Sequence, residues 1–431
     1  MTSAAQISFR DALSRWCDLS GCLGRVAVLI LTLCFGRTTI AQPNDRGVRD
    51  SIVRGVTYLK GVQSQDGTWD TWGVHPLGET ALAGMALIAG GQPVDSPAVT
   101  AAADAVRRHV TGDDRTYDIA LTVMFLDRLG LPRDAELLRR LGRNISSGQC
   151  AQGSWSYGLR PAISGDNSNT QFAALAAWVS RRHGASNDAA LQRLDEHFRT
   201  TFNSAGNGWG YSSGSPATPT MTCAGLVGLA VPRGARYQSR ESERGPISLD
   251  AQPGQGGNRG PAAADDPIAK QALAALGAEL RKADKNPLAD INSDLYFFWS
   301  LERVAVIYDL KEIGGVDWYG WGSQRLVKGQ SANGEWRGKS GSKNWPFEQA
   351  VGTSFGILFL SRANVAADLS EAVGSGDNVG APPPGPGGGT QALRRATNGD
   401  EQPPPPAIPK QPPAKKPAKK PTPGPGVLDP F

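Results

Sequence analysis

Apolar residues along the chain fall into two alternating kinds of segment. In the first kind they recur with a helical period and charged residues fill the opposite face, as at Leu137, Leu141 and Ile145, or at Leu191, Leu194, Phe198 and Phe202. Stretches near 47–65, 97–110, 133–148, 187–202, 266–282 and 318–330 read this way, as amphipathic helices with one wet face. The second kind is apolar nearly all round and covers 80–88, 119–126, 172–179, 223–230, 295–306 and 355–360. A helix without a polar face has to be buried. Each amphipathic helix is therefore expected to lie outside the apolar one that follows it. Asp265-Asp266-Pro267 offers an N-cap with a proline at the first helical position, and Asn187-Asp188 offers a second cap.

A repeat joins the two kinds of helix. Gln63, Gly67 and Trp69, then Gln149, Gly153 and Trp155, then Gln330, Gly334 and Trp336 share the spacing Gln-x3-Gly-x-Trp, each with an aliphatic residue four positions before the glutamine: Leu59, Ile145 and Leu326. A degenerate fourth copy ends at Gly206-Asn207-Gly208-Trp209. Repetition of a two-helix unit is the mark of a repeat architecture. Six such hairpins suit closure on themselves better than an open stack, which would need capping repeats at its ends. The expected fold is all-α, a six-hairpin (α/α)6 toroid with inner and outer helix layers.

Composition then divides the chain. Residues 1–41 read as an export signal: Arg10, Arg15 and Arg25 precede the apolar run 26–35, and small residues end at Ala41. The run falls short of the roughly 20 apolar residues a membrane helix needs, although retention as an anchor stays open. The toroid is expected over 42–375, with a Gly, Pro, Ser and charge-rich excursion at 235–264, and 376–431 as a Pro/Lys-rich disordered tail. Between 391 and 431 seven Lys or Arg face three acidic residues, so most of the net charge of +5 sits in that tail. The body is left near neutral, which argues against nucleic-acid binding. The tail is expected to be a spacer or a contact to the anionic envelope surface of an exported, periplasmic or envelope-held protein. Cys150 and Cys223 remain outside the signal, and both a disulfide and two buried thiols are open.

Arg54-Gly55-x2-Tyr58-Leu59-x3-Gln63-x3-Gly67-x-Trp69 resembles the QW motif of squalene and oxidosqualene cyclases, and the copies at Gln149 and Gln330 match it in part. The resemblance covers about 47–365. It implies the squalene-cyclase and prenyltransferase type of toroid, with glutamine and tryptophan tying each turn to a neighbouring helix, and a structural rather than catalytic role for the motif. It also implies an acid: in class II terpene cyclases the middle Asp of Asp-x-Asp-Asp-Thr protonates an alkene or epoxide. Here the corresponding stretch is Asp166-Asn167-Ser168-Asn169-Thr170, with Ser168 and Asn169 in place of the two carboxylates. Neither side chain can act as a strong acid. The zinc-dependent prenyltransferases resembled by the same toroid need an Asp, Cys and His set. No Asp precedes Cys223 by two positions, and all four histidines lie before that cysteine, so no metal and no cofactor is expected.

Candidate chemistry rests on carboxylates at or within the buried helices. Asp166, Asp118 and Glu302 are the candidate catalytic residues, and Glu79 and Asp294 lie in similar places. Asp118 and Asp166 also read as helix caps, and Glu302 beside Arg303 also reads as half of a buried ion pair. Tyr117, Phe172, Trp178, Tyr296 and Phe298 are the candidate lining of an apolar cavity, where ring faces would stabilise a cation. Three readings follow: an isoprenoid- or lipid-binding toroid, catalytic or not; a non-catalytic envelope scaffold; and a carbohydrate-active α/α barrel, which would need two facing carboxylates. An open apolar chamber favours the first, and a filled centre favours the second.

Overall fold

The computed structural model describes residues 45–69, 75–160, 162–244, 263–286, 294–337, 339–340, 345–346, 349–363 and 366–373. From Arg46 onward these belong to one compact unit. The expected signal at 1–41 and the tail at 376–431 lie outside the described residues.

Amphipathic helices α1 (Asp45–Val62), α3 (Pro97–His109), α5 (Ala135–Ser147), α7 (Asp188–Thr200), α9 (Pro267–Lys285) and α11 (Trp318–Gly329) alternate with apolar helices. These are α2 (Pro76–Ala89), α4 (Thr116–Leu129), α6 (Asn167–Arg181), α8 (Pro219–Arg244), α10 (Leu295–Ile307) and α12 (Gln349–Leu360). A short α13 (Ala367–Val373) ends the series. The protein is mostly helical. Among the described residues the strands are two-residue pieces in two antiparallel pairs, β1 (Glu312–Ile313) with β2 (Val316–Asp317) and β3 (Lys339–Ser340) with β4 (Trp345–Pro346). Among the described residues no helix is long and apolar enough to cross a membrane.

The even-numbered helices form the inner layer. Each packs on the next, α2 on α4, α4 on α6, and so on to α10 on α12, and α12 packs back on α2, so the inner layer closes. Burial follows the sequence pattern: every residue of α2 after Pro76 is buried, whereas α5 buries Leu138, Leu141, Gly142 and Ile145. Asp266, Asp294, Asp317 and Asp166 cap their helices by accepting backbone N–H groups of the first turn. Asn187 does not cap α7. Its amide instead donates to Ala177 O at 2.7 Å and Ser180 Oγ at 2.9 Å, fastening the end of α6.

The three full repeats make one clamp three times. Each tryptophan Nε1 donates to the carbonyl of the aliphatic residue ten positions earlier: Trp69 to Leu59 at 2.9 Å, Trp155 to Ile145 at 2.7 Å, Trp336 to Leu326 at 2.8 Å. Each tryptophan N–H donates to an inner-helix threonine hydroxyl, Thr80, Thr170 or Thr353. Each glutamine Nε2 spans from its own glycine carbonyl to the next outer helix: Gln63 to Ala98 O at 2.9 Å, Gln149 to Ala190 O at 2.9 Å, Gln330 to Ser51 O at 2.9 Å. The last of these joins the turn after α11 to α1 across the seam of the ring. Glycine is required at the clamp because φ is +93°, +82° and +94° at Gly67, Gly153 and Gly334. An added Cβ at these positions would also stand 2.4, 2.3 and 2.4 Å from the carbonyl oxygens of Ala101, Arg193 and Arg54.

A boundary expectation changes as well. The excursion expected from 235 begins later, because α8 continues through Pro232 to Arg244. Tertiary contacts outweigh the proline: Ala235 is buried, Gly234 lies against Leu369 and Trp178, and Arg236 pairs with Asp195 at 3.2 Å.

Candidate functional site

The carboxylates singled out in the sequence take separate positions. Asp166 opens α6, with Oδ1 accepting from Asn169 N at 2.8 Å and Oδ2 from Asn169 Nδ2 at 2.9 Å. Burial pushes its carboxyl up to about 6, against the hydrogen bonds from Asn169. Asp118, in the first turn of α4, caps the neighbouring helix: its Oδ1 accepts from Leu77 N at 2.9 Å and Gly78 N at 2.8 Å, and its Oδ2 meets His75 Nδ1 at 2.6 Å. Asp294 caps α10 through Phe297 N at 2.9 Å. Asp118 and Asp166 are thus occupied as helix caps at the N-terminal ends of inner helices. Glu302 sits within α10, fully buried, and neither of its oxygens has a hydrogen-bond partner. Burial pushes its carboxyl up to about 8, despite the neighbouring charges of Arg303, Arg128 and Arg362. The ion pair expected between Glu302 and Arg303 does not form, because consecutive helix residues point about 100° apart.

Arg303 turns toward the middle of the ring. Its Nη2 donates to Gln171 Oε1 at 2.9 Å and Ser300 Oγ at 3.1 Å. Gln171 donates in turn to the Tyr296 hydroxyl, which lies 2.7 Å from Ser168 Oγ, and Tyr117 Oη donates to Ser168 Oγ at 2.8 Å. Tyr117 is on α4, Ser168 and Gln171 are on α6, and Tyr296 and Arg303 are on α10. In the closed order of inner helices α4 and α10 stand opposite one another, so this chain of hydrogen bonds crosses the centre.

Aromatic rings fill the same level. Phe172 packs on Tyr117 at 5.2 Å, Tyr296 at 6.1 Å and Trp299 at 5.6 Å, and Phe355 stacks on Tyr296 at 5.8 Å and Trp299 at 5.1 Å. All five residues are 2% exposed or less, so no water-sized space adjoins them. Tyr117, Phe172 and Tyr296 meet one another instead of bordering a chamber. Phe298 points outward, stacked on Trp321 at 5.1 Å with Phe359 at 5.4 Å. Trp178 lies toward the C-terminal end of α6, where its Nε1 donates to Asp368 Oδ1 at 3.0 Å. There it borders an open groove of about 780 Å³ with Arg181, Arg182 and Tyr237.

Sequence reasoning missed Gln171, which donates to the Tyr296 hydroxyl and accepts from Arg303. A signal was present in Gln171, which directly precedes the apolar stretch 172–179, and in Arg303, a charged residue inside the stretch 295–306. It also missed Tyr211, whose side chain hydrogen-bonds Asp166 and whose hydroxyl meets that of Tyr157. Cys150 and Cys223 are buried free thiols. Among the described residues no group of three or more His, Cys, Asp and Glu side chains is placed to hold a metal ion.

No family model and no curated protein matches the chain. Among solved structures, the type II terpene cyclase MstE from Scytonema in its apo form aligns over 76% of this chain and 100% of its own, at 14% identity and a TM-score of 0.34. That likeness is too distant to inform function.

Proposed function

We propose that the chain is a non-catalytic helical ring acting as an exported interaction scaffold, held at the cell envelope through its basic tail, and that its centre houses no isoprenoid. One observation carries this reading: the hydrogen bonds from Tyr117 through Ser168 and Tyr296 to Gln171 and Arg303 run through stacked rings that are 2% exposed or less. Side chains occupy the space a hydrocarbon would need.

A divergent terpene cyclase is the second reading, favoured by one observation. Asp166 opens α6 at the first position of the degenerate motif and keeps a titratable carboxyl beside Tyr211, which is 39% exposed.

The test melts the purified protein with and without squalene and geranylgeranyl diphosphate, and extracts products after prolonged incubation. The scaffold reading expects unchanged melting and recovery of intact substrate. A cyclised product, or a saturable rise in Tm with either lipid, overturns it. Fractionation of cells expressing the full chain tests location: the protein is expected with the envelope, and a variant lacking 376–431 in the soluble exported fraction. Retention of the full chain in the cytoplasm removes the export half of the proposal.

A further inference from the structure

The far end of α8 is helical against the preference of its own sequence. Pro232 and Gly234 lie inside it, and these two residue types are the least favourable in a helix interior. Pro232 also leaves the carbonyl four positions before it without its helical donor. Local preference alone would end the helix near Val231. It continues to Arg244, and the surroundings of Gly234 show why. A Cβ there would stand 2.5 Å from Leu369 Cδ1 and 3.1 Å from the Trp178 ring, so the glycine is the socket in which α13 seats its leucine.

The helix α13 is equally conditional. It is 7 residues long, well short of the roughly 12 an isolated helix needs, so it is helical only where it is docked. Leu369 and Val373 are buried, while Glu371 is exposed. It packs on α8 and α10, and Asp368 reaches toward α6 by accepting from Trp178 Nε1 at 3.0 Å and Arg182 Nη2 at 2.8 Å. The pair with Arg182 is partly exposed and adds little. Ahead of α13, α12 ends in a turn closed by Arg362 N to Phe359 O at 3.0 Å and Ala363 N to Leu358 O at 3.1 Å. Arg362 takes a left-handed φ of +46° there, a costly conformation for a residue other than glycine.

Each of the two elements thus supplies what the other lacks. The open groove depends on both: Tyr237, Gln238 and Ser239 of the extended α8 line it together with Asp368 of α13 and Trp178 of α6. The inner layer closes from α2 round to α12 and back without α13. We propose that α13 and the part of α8 beyond Pro232 dock and release together, as one unit separate from the ring, and that this unit makes and unmakes the groove beside Trp178. Such units open locally while the rest of a protein stays folded. This device lies at the C-terminal ends of the inner helices, so it depends neither on what fills the centre nor on the scaffold reading.

Hydrogen exchange of the full chain tests it. Leu369→Ala empties most of the socket at Gly234 and is expected to speed exchange of the α8 amides beyond Pro232 by about 30-fold or more, with amides 223–230 unchanged. Gly234→Ala improves α8 as an isolated helix but fills the socket, so α13 amides are expected to exchange about tenfold faster or more. The two effects are reciprocal, as coupling requires. In both variants the Cys223 thiol, buried in α8 before the proline, should label no faster than in wild type when labelling is mapped by mass. If Leu369→Ala fails to fold, Asp368→Asn gives the same pattern at smaller size. Three results would each overturn the proposal: wild-type exchange beyond Pro232 in the α13 variant, wild-type exchange of α13 in Gly234→Ala, or acceleration that spreads to 223–230 and Cys223.

Discussion

Replacing Gln330 with alanine removes the hydrogen bonds that cross the seam of the ring. Two are lost from Nε2, to Ser51 O at 2.9 Å and to Gly334 O at 2.8 Å. Each contributes roughly 1 kcal/mol net, and Ser51 is fully buried, so its carbonyl is not freely rehydrated. The exposed contact from Arg54 adds little. A loss of about 2 kcal/mol follows, or about 3 °C in Tm at about 2.1 cal/mol/K per residue over roughly 300 folded residues. Gln149→Ala is the matched control, because Gln149 makes the same pair of bonds to Ala190 O at 2.9 Å and Gly153 O at 2.8 Å within the ring. Urea titration should give similar losses for the two. Hydrogen exchange should separate them: amides of α1 exchange faster only in Gln330→Ala, because only there are the first and last outer helices released from one another. Wild-type stability in Gln330→Ala, or α1 exchange equal in the two variants, would refute the idea that this clamp holds the seam.

Two further substitutions probe the clamp and the buried acid. Gly153→Ala is expected to cost about 2–4 kcal/mol in urea, combining left-handed backbone strain with a Cβ placed 2.3 Å from Arg193 O. Gly184→Ala has the same φ of +82° but a nearest neighbour at 3.7 Å and should cost only about 1–2 kcal/mol, so equal losses would contradict the close-approach argument. Glu302 has a folded-state pKa of about 8, raised by burial above its ordinary 4.5. The unfolded chain therefore ionises first, and stability falls as pH rises from about 4.5 to 8. Glu302→Gln should remove that part of the decline, nearly matching wild type at the acid end and exceeding it at the alkaline end. An unchanged slope in chemical denaturation across this window would show that the carboxyl is hydrated or paired.

The helical layers were legible because burial and amphipathic period are properties of consecutive residues. The apolar run 80–88 and the periodic Leu137, Leu141 and Ile145 each announce their environment locally, and the structure places them within α2 and α5. The clamp was half legible. Its spacing is in the chain, but the acceptors Ala98, Ala190 and Ser51 belong to other helices, and Ser51 is 279 positions from its glutamine. The extension of α8 past Pro232 was not legible, since it depends on Leu369 and Trp178 packing from elsewhere in the chain. Direction within the inner helices was the hardest part. Trp299, Glu302 and Arg303 lie within five residues, yet one ring stacks at the centre, one acid is left without a partner and one charge bridges two helices. An apolar-all-round helix carries no periodicity from which to read which face looks inward.

The residues that replace the carboxylates of the resembled motif also help to fill the centre. Ser168 takes a hydrogen bond from Tyr117 at 2.8 Å and lies 2.7 Å from the Tyr296 hydroxyl, while Asn169 holds both oxygens of Asp166. Changing Asn169 to aspartate would set two carboxylates at the 2.9 Å now spanned by an amide, and like charges that close force one to stay protonated. Ser168→Asp would add a carboxylate where two tyrosine hydroxyls converge, which favours its ionised form. Carboxylates can thus be introduced by two substitutions, but a chamber cannot: Phe172, Tyr296, Trp299 and Phe355 would still pack on one another. The double variant Ser168→Asp/Asn169→Asp is therefore expected to lose stability and to return squalene unchanged. Cyclised squalene from that variant would mean that the stacked rings part for a substrate, and that the filled centre is a closed state of an enzyme.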